Sequence, residues 1–305
     1  MISFVKTLKT LLLLEDINFL LTNRIPRALA TRLMGRFSRV EHPLIVRVSI
    51  FLWGLFANLK LEEARQKRFK SVHDCFIREL LPGARPICGD PDTLISPCDG
   101  IVGEFGMIKD QQLFQAKGFP YSLKDLLLTE SLVKTWQNGR FLTIRITSSM
   151  YHRFHAPEDG QLQRVRYISG DTWNVNPIAL KRVESLFCKN ERAILELSIG
   201  QKSTPIIMIP VAAILVAGIR IHGINATLNC KSPNGLTLES DRRFNRGDEM
   251  GWFEHGSTII MITPPEFEFN PHLAIGQRLR MGDQLCSCRS LLANNSIVDL
   301  IDYRQ

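Results

Sequence analysis

The chain has 305 residues, 45% of them hydrophobic, which is enough to bury a full core in one large domain or two modest ones and excludes a disordered or fibrous protein. Its formal net charge of +8 is concentrated at one end: residues 1–70 hold thirteen Lys/Arg against five Asp/Glu, and the remaining 235 residues balance at 25 of each. The seven cysteines, an odd number with no paired metal or disulfide spacing, indicate a reducing compartment, and no metal is expected.

The basic amino-terminal segment comes first. Clustered positive charge attracts nucleic acid and anionic membranes alike. Here the charges are interleaved with FVKTLKTLLLL, INFLL and HPLIVRVSIFLWGLFANLK, and nucleic-acid arms are rarely so apolar. Residues 43–57 form a run shorter than the ~20 apolar residues a spanning helix needs, and Arg47 interrupts it. The segment is expected to lie on an anionic bilayer as amphipathic helices, with no nucleic-acid partner. The competing reading packs these helices on the protein's own core or on a second copy. Glu15 and Asp16 end the Leu run and no small-residue cleavage site follows, so no signal peptide is expected. Peripheral attachment on the cytoplasmic face is the resulting expectation.

From about residue 71 the chain turns to short β-rich pieces separated by Pro and Gly, including TLISPCDGIVGEFG, RFLTIRITSS, AILELSIG, PIIMIPVAAILVAGIRI and STIIMITPP. Leu142, Ile144 and Ile146 alternate with Thr143, Arg145 and Thr147, the period of a half-buried strand. The stretch SLKDLLLTESLVKTW reads as one helix. The predicted fold is α+β: a strand-dominated mixed domain, residues 71–305, preceded by the helical membrane segment, residues 1–70.

Two polar clusters stand out, and a Gly-Ser-Thr stretch stands beside them. Asp99 in SPCDG precedes a glycine, where an Asp most often forms a turn. In YHRFHAP, His152 and His155 stand three residues apart, sharing a face if helical and diverging if extended. Gly256, Ser257 and Thr258 directly precede an apolar strand, a placement that ordinary turn chemistry explains on its own. Together, a serine, a histidine and a carboxylate are the parts an activated hydroxyl requires. A serine hydrolase is one reading, but Ser257 opens a strand and has no Gly-x-Ser-x-Gly elbow around it.

These motifs carry a resemblance. The basic apolar amino terminus, DCFIREL with ARPI, SPCDG, QAKGFPYSL, YHRFHAP, SGDTWNVNP, LFCKNER and EMGWFEHGST occur in the order seen in phosphatidylserine decarboxylases, pyruvoyl-dependent membrane enzymes. The resemblance runs from about residue 70 to 265. It implies self-cleavage between Gly256 and Ser257, in which the serine hydroxyl attacks the preceding carbonyl and the serine is consumed to make a pyruvoyl group. The products would be a β chain, 1–256, and an α chain, 257–305, that stay associated. It further implies that His155, oriented by Asp99, is the base for cleavage, and that His152 serves the decarboxylation of phosphatidylserine to phosphatidylethanolamine. A homodimer is also implied. The sequence departs from the family where Leu is common, at His255; where Lys is common, at Glu254; and where Gly is usual, at Ala212 and Ala217, and it adds His222. A non-catalytic membrane-binding relative, uncut and without turnover, is the remaining alternative.

Overall fold

The computed structural model describes residues 14–24, 26–116, 119–214, 218–224, 227–228, 232–254 and 257–288. His255, Gly256, Ala217 and residues 289–305 lie outside the described residues.

Helices α1 (Glu15–Asn23), α2 (Arg27–Phe37) and α3 (Pro43–Phe56) open the chain. Pro43 occupies the first turn of α3, where the missing N–H has no intrahelical partner to lose. Among the described residues no helix is long and apolar enough to cross a membrane. The first two helices dock on the body through polar contacts. Asn176 Nδ2 donates to Asn18 Oδ1 at 2.8 Å, the Asn174 N–H donates to Asn23 Oδ1 at 3.1 Å, and the Arg27 guanidinium lies over the Trp173 ring. Leu44, Val48, Phe51, Leu52 and Phe56 of α3 nevertheless remain exposed. The segment thus packs on the body through its first two helices and leaves apolar side chains of the third exposed. The short helix α4 (Val72–Phe76) is capped by Ser71, whose hydroxyl accepts from the Asp74 N–H at 3.0 Å.

The body is built on antiparallel strands. Those that matter for the site are β1 (Gly100–Met107), β2 (Arg140–Ile146), β3 (Arg153–His155), β4 (Gly160–Ile168), β5 (Arg192–Ile199), β6 (Thr204–Ala212), β7 (Ile219–Ile221), β8 (Glu249–Phe253) and β9 (Ser257–Thr263). A nine-stranded sheet runs β4-β5-β6-β9-β2-β1 at its centre, with short strands at both edges, and a four-stranded sheet places β8 between β7 and β3. In the large sheet β9 is central, paired with β2 on one side and β6 on the other along almost its whole length.

Both faces of β9 are covered, and all seven of its residues are buried. Ile259 and Met261 point into a core shared with Phe154, Met250 and Phe253 of the smaller sheet. Ile260 and Ile262 point into a second core with Leu123, Leu126, Val133 and Trp136. A strand covered on both faces has no solvent side to write in polar residues, which is why IIMI is continuous. The same double cover changes the reading of β2. Its alternation suggests a half-buried strand, yet Thr143 is as buried as its apolar neighbours because helices cover that face too.

Those helices are where the single predicted helix divides into α5 (Leu123–Leu127) and α6 (Glu130–Trp136). Ser122 caps α5 by accepting from the N–H groups of Lys124 and Asp125, and Leu128 ends it in the left-handed conformation at φ +52°. Each short helix then turns its own apolar side chains onto the sheet: Leu123, Leu126 and Leu127 from one, Val133 and Trp136 from the other.

Candidate active site

Of the residues singled out in the sequence, Ser257 and Asp99 stand at one end of the central sheet. Ser257 is the first residue of β9, opposite Ile146 at the end of β2 and Ala212 at the end of β6. Its side chain is fully buried, and among the described residues its hydroxyl has no hydrogen-bond partner. Ala212, one of the departures from the family pattern, is the cross-strand neighbour of Ser257 and brings its methyl group to that position.

Asp99 immediately precedes β1, the strand beyond β2. Two strand spacings, roughly 10 Å, therefore separate its backbone from that of Ser257. Gly100 permits this arrangement, since a Cβ there would stand 2.3 Å from Ile144 Cγ2. The Asp99 carboxylate is held by Arg85 in a bidentate pair, Nε to Oδ1 at 2.7 Å and Nη2 to Oδ2 at 2.6 Å, and accepts from the Met281 N–H at 2.9 Å. Arg85 also donates to Glu63 Oε2 at 2.8 Å, and these two carboxylates raise its pKa despite partial burial.

His155, the last residue of β3, is tied to the same region by its backbone N–H, which donates to the Pro97 carbonyl at 2.8 Å. Its Nδ1 is 2.8 Å from the Gly247 carbonyl, and a carbonyl only accepts, so Nδ1 carries the proton. That leaves a lone pair on Nε2, which accepts from the Tyr151 hydroxyl at 3.0 Å. Burial lowers the His155 pKa, outweighing the Gly247 bond that raises it, so the ring is neutral with an available basic nitrogen. Burial also raises the Tyr151 pKa, keeping it a donor. Asp99 and His155 thus meet in one cluster through Arg85 and Tyr151. No hydrogen bond joins them directly among the described residues; Arg85 takes the Asp99 carboxylate, and Gly247 and Tyr151 orient the imidazole.

His152 lies elsewhere. The extended backbone of YHRFHAP turns the two rings to different surroundings, and His152 is fully buried with its ring stacked on Phe76 of α4, centroids 3.8 Å apart. Phe76 stacks in turn on Trp53 of α3 at 6.1 Å, so a column of rings leads from the exposed helix to this histidine. The His152 carbonyl accepts from the Phe253 N–H at 3.0 Å, while His155 is in register with Glu249. Of the two histidines, His152 is therefore paired closer along the chain to Ser257. Gly251 makes the tight stacking of β8 possible, as a Cβ there would meet the Arg220 carbonyl at 2.0 Å. The additional histidine, His222, is 2.7 Å from Glu249 Oε1, a carboxylate that also accepts from Arg153.

Sequence reading missed several members of this region. Arg85 and Tyr151 lie inside quoted motifs but carried no assigned role. Glu191, in LFCKNER, is buried beside Ala212, whose N–H donates to the Glu191 carbonyl at 2.8 Å. Burial lifts its carboxyl pKa to about 7, with Tyr167 drawing it part of the way back. An acidic residue next to Asn and Arg gives no sign of such burial in sequence.

Comparison with known proteins decides the family. Residues 72–287 match the phosphatidylserine decarboxylase family. The chain belongs to that family. It is 39% identical over 249 residues to the phosphatidylserine decarboxylase proenzyme of Francisella tularensis subsp. novicida, covering 78% of this chain and 86% of the relative. It is 30% identical over 274 residues to the corresponding proenzyme of Brevibacillus brevis, covering 88% and 96%. The protein is accordingly an enzyme of the decarboxylase class, and the match spans Asp99, His152, His155, Glu254 and Ser257.

Proposed function

We propose that this chain converts phosphatidylserine to phosphatidylethanolamine and carbon dioxide, using a pyruvoyl group that it makes from Ser257 by cutting itself after Gly256. The observation that carries this reading is the Ser257 hydroxyl, fully buried at the head of the central strand with no hydrogen-bond partner among the described residues. Thr143, Thr258 and Thr263 also carry buried hydroxyls in that state, and Ser257 is set apart from them by its place directly after Gly256. The relatives' designation as proenzymes fits a chain that must be processed.

The cut needs no external oxidant or reductant. The Ser257 oxygen adds to the Gly256 carbonyl carbon, and the peptide C–N bond gives way to an ester. Loss of the Ser257 Cα proton then expels the Gly256 carboxylate, and water replaces the nitrogen, which leaves as ammonia. His155 is the group suited to take the hydroxyl proton, because its Nε2 lone pair is available at neutral pH once Tyr151 yields it. The Asp99 carboxylate, held by Arg85 at 2.6 Å, belongs to the same cluster.

Once formed, the pyruvoyl carbonyl supplies an electron sink for the pair released when carbon dioxide leaves the substrate. A proton must then reach the substrate's α-carbon, and His152 is assigned that delivery. The same reading places α1–α3 on an anionic bilayer, supported by the exposed apolar side chains of that segment and its excess of basic residues.

The test is the intact mass of the purified full-length protein, with phosphatidylserine turnover measured on the same sample. Two fragments, 1–256 and 257–305, together with carbon dioxide release, are the expected result, and Ser257→Ala should give one uncut, inactive chain. A wild-type protein that stays as one chain with an ordinary serine at 257 overturns the reading.

A further inference from the structure

Glu254 is the last described residue before the segment that leads to Ser257, and its surroundings are unlike those of an ordinary surface carboxylate. The side chain is 5% exposed. Oε2 accepts from His73 Nε2 at 2.5 Å and from Arg39 Nη2 at 2.7 Å, while Oε1 lies 3.5 Å from Arg220 Nε. The Glu254 N–H donates to the Gly218 carbonyl at 3.0 Å. Burial pushes the carboxyl pKa up, but His73, Arg39 and Arg220 together bring it below its ordinary value, so Glu254 is a carboxylate.

The three partners come from three places. Arg39 follows α2, His73 is in α4, and Arg220 is in β7. The His73 N–H also donates to the Ser38 carbonyl at 2.8 Å, so α4 is fastened to the turn that carries Arg39. One buried carboxylate is thus the point at which the amino-terminal helices grip the chain three residues before Ser257. No other described acidic residue ties that segment to the strand leading into the cut.

Building on the self-cleavage reading, we propose that Glu254 is a positioning residue for the cut: through Arg39, His73 and Arg220 it fixes the carbonyl side of the Gly256–Ser257 bond, and the cut proceeds only with the amino-terminal helices docked. An acyl shift onto a neighbouring hydroxyl depends on near-attack geometry, and β9 already fixes the serine side of the bond by pairing on both edges. On the opposite side the described sheet pairing ends at Phe253, and the Glu254 cluster supplies the second fixed point. Its removal is not expected to unfold the protein. Arg39 and Arg220 are substantially exposed and can return to water when their partner is removed.

The experiment follows the appearance of the two fragments after a pulse of synthesis of the full-length chain, alongside thermal unfolding of the same variants. Glu254→Ala and Arg39→Ala should each slow the cut by up to on the order of 100-fold, the effect of about 1 Å of misplacement at reacting atoms. Their unfolding midpoints should stay close to wild type. Glu254→Asp should recover part of the rate, and the exchanged pair Arg39→Glu with Glu254→Arg should cut faster than either exchange alone. Equal rates for wild type and Glu254→Ala would overturn the proposal and leave self-cleavage standing. A Glu254→Ala chain that is slow, melts well below wild type and is rescued by neither Asp nor the exchanged pair would make the residue structural and also overturn it. A wild-type chain that never cuts would instead remove the self-cleavage reading itself.

Discussion

The proton on His155 resides on Nδ1, because the Gly247 carbonyl can only accept, and this single bond fixes which nitrogen is left to act as a base. Burial lowers the pKa of that base, so the ring keeps its lone pair to more acid pH than a free imidazole of about 6.5. The rate of self-cleavage is therefore expected to hold as pH falls through 6.5 and to decline only below it. Between the folded value and 6.5 the unfolded chain binds more protons than the folded one, so His155 also subtracts stability as pH drops through that window. Measuring fragment formation against pH checks the first statement, and a midpoint at or above 6.5 would contradict it. The two histidines should separate in the same assay. A single imidazole cannot serve two protons from one position when each transfer needs a reach of ~3 Å, and here the rings of His152 and His155 face different neighbours, Phe76 and Tyr151. His152→Ala should still yield both fragments and a titratable carbonyl while turning over phosphatidylserine far more slowly, whereas His155→Ala should stay largely uncut. Should His152→Ala remain uncut and His155→Ala mature normally, the assignments are reversed, a result that the closer pairing of His152 to Phe253 would then explain.

At the scale of elements, β9 is held by two cores, and that makes a prediction that a half-buried strand would not. Ile259 and Ile260 point to opposite faces and are both fully buried. Truncating either to Ala should cost about 2–5 kcal/mol, the range for an Ile deleted from a packed core. Denaturant unfolding of the uncut Ser257→Ala background checks this, and a cost below about 1 kcal/mol at Ile260 would mean that α5 and α6 do not cover that face. The strand itself was legible in the sequence, because a continuous IIMI run after Gly-Ser-Thr admits few other readings. The division of SLKDLLLTESLVKTW was not. Its apolar spacing suits one helix, and the left-handed turn falls on Leu128, where no glycine or asparagine announces it. The site was legible in its residues but not in its wiring. Asp99, His152, His155 and Ser257 stand in motifs, whereas the Arg85–Asp99 pair, the Tyr151 bond to His155 and the ring column through Phe76 depend on how segments meet in the fold, which no periodicity records.

For the whole molecule the question is what the exposed side of the amino-terminal helices does. Thirteen large hydrophobic side chains between Leu14 and Phe56 are exposed, against five in all the other described residues, so the apolar surface is not the ordinary scatter of a soluble body. Helix α3 has 14 residues, about 21 Å of length at 1.5 Å per residue, well short of the ~30 Å hydrocarbon layer. Beside it, a groove of about 630 Å³ is lined by Val46, Ile50, Phe51 and Phe69 together with Arg47 and Lys70, which sets apolar and cationic groups side by side at one surface. Apolar side chains at acyl depth with Lys/Arg at headgroup depth is the pattern of a helix lying in the interface, and each such cation adds roughly 1 kcal/mol near anionic lipid. Full-length protein should therefore float with vesicles containing phosphatidylserine more than with neutral ones. Binding should weaken as salt rises, since exposed charges are screened over about 10 Å at 0.1 M. Phe51→Asp should weaken it at every salt concentration, by removing apolar area and adding repulsion, and should leave Arg39 and Glu254 paired and the cut unaffected. Equal flotation with neutral vesicles, or retention that salt never loosens and only detergent reverses, would contradict an interfacial helix. The α3 surface and the Glu254 clamp use different residues of the segment, so loss of lipid binding with normal cutting in Phe51→Asp, and the converse in Arg39→Ala, would separate attachment from maturation.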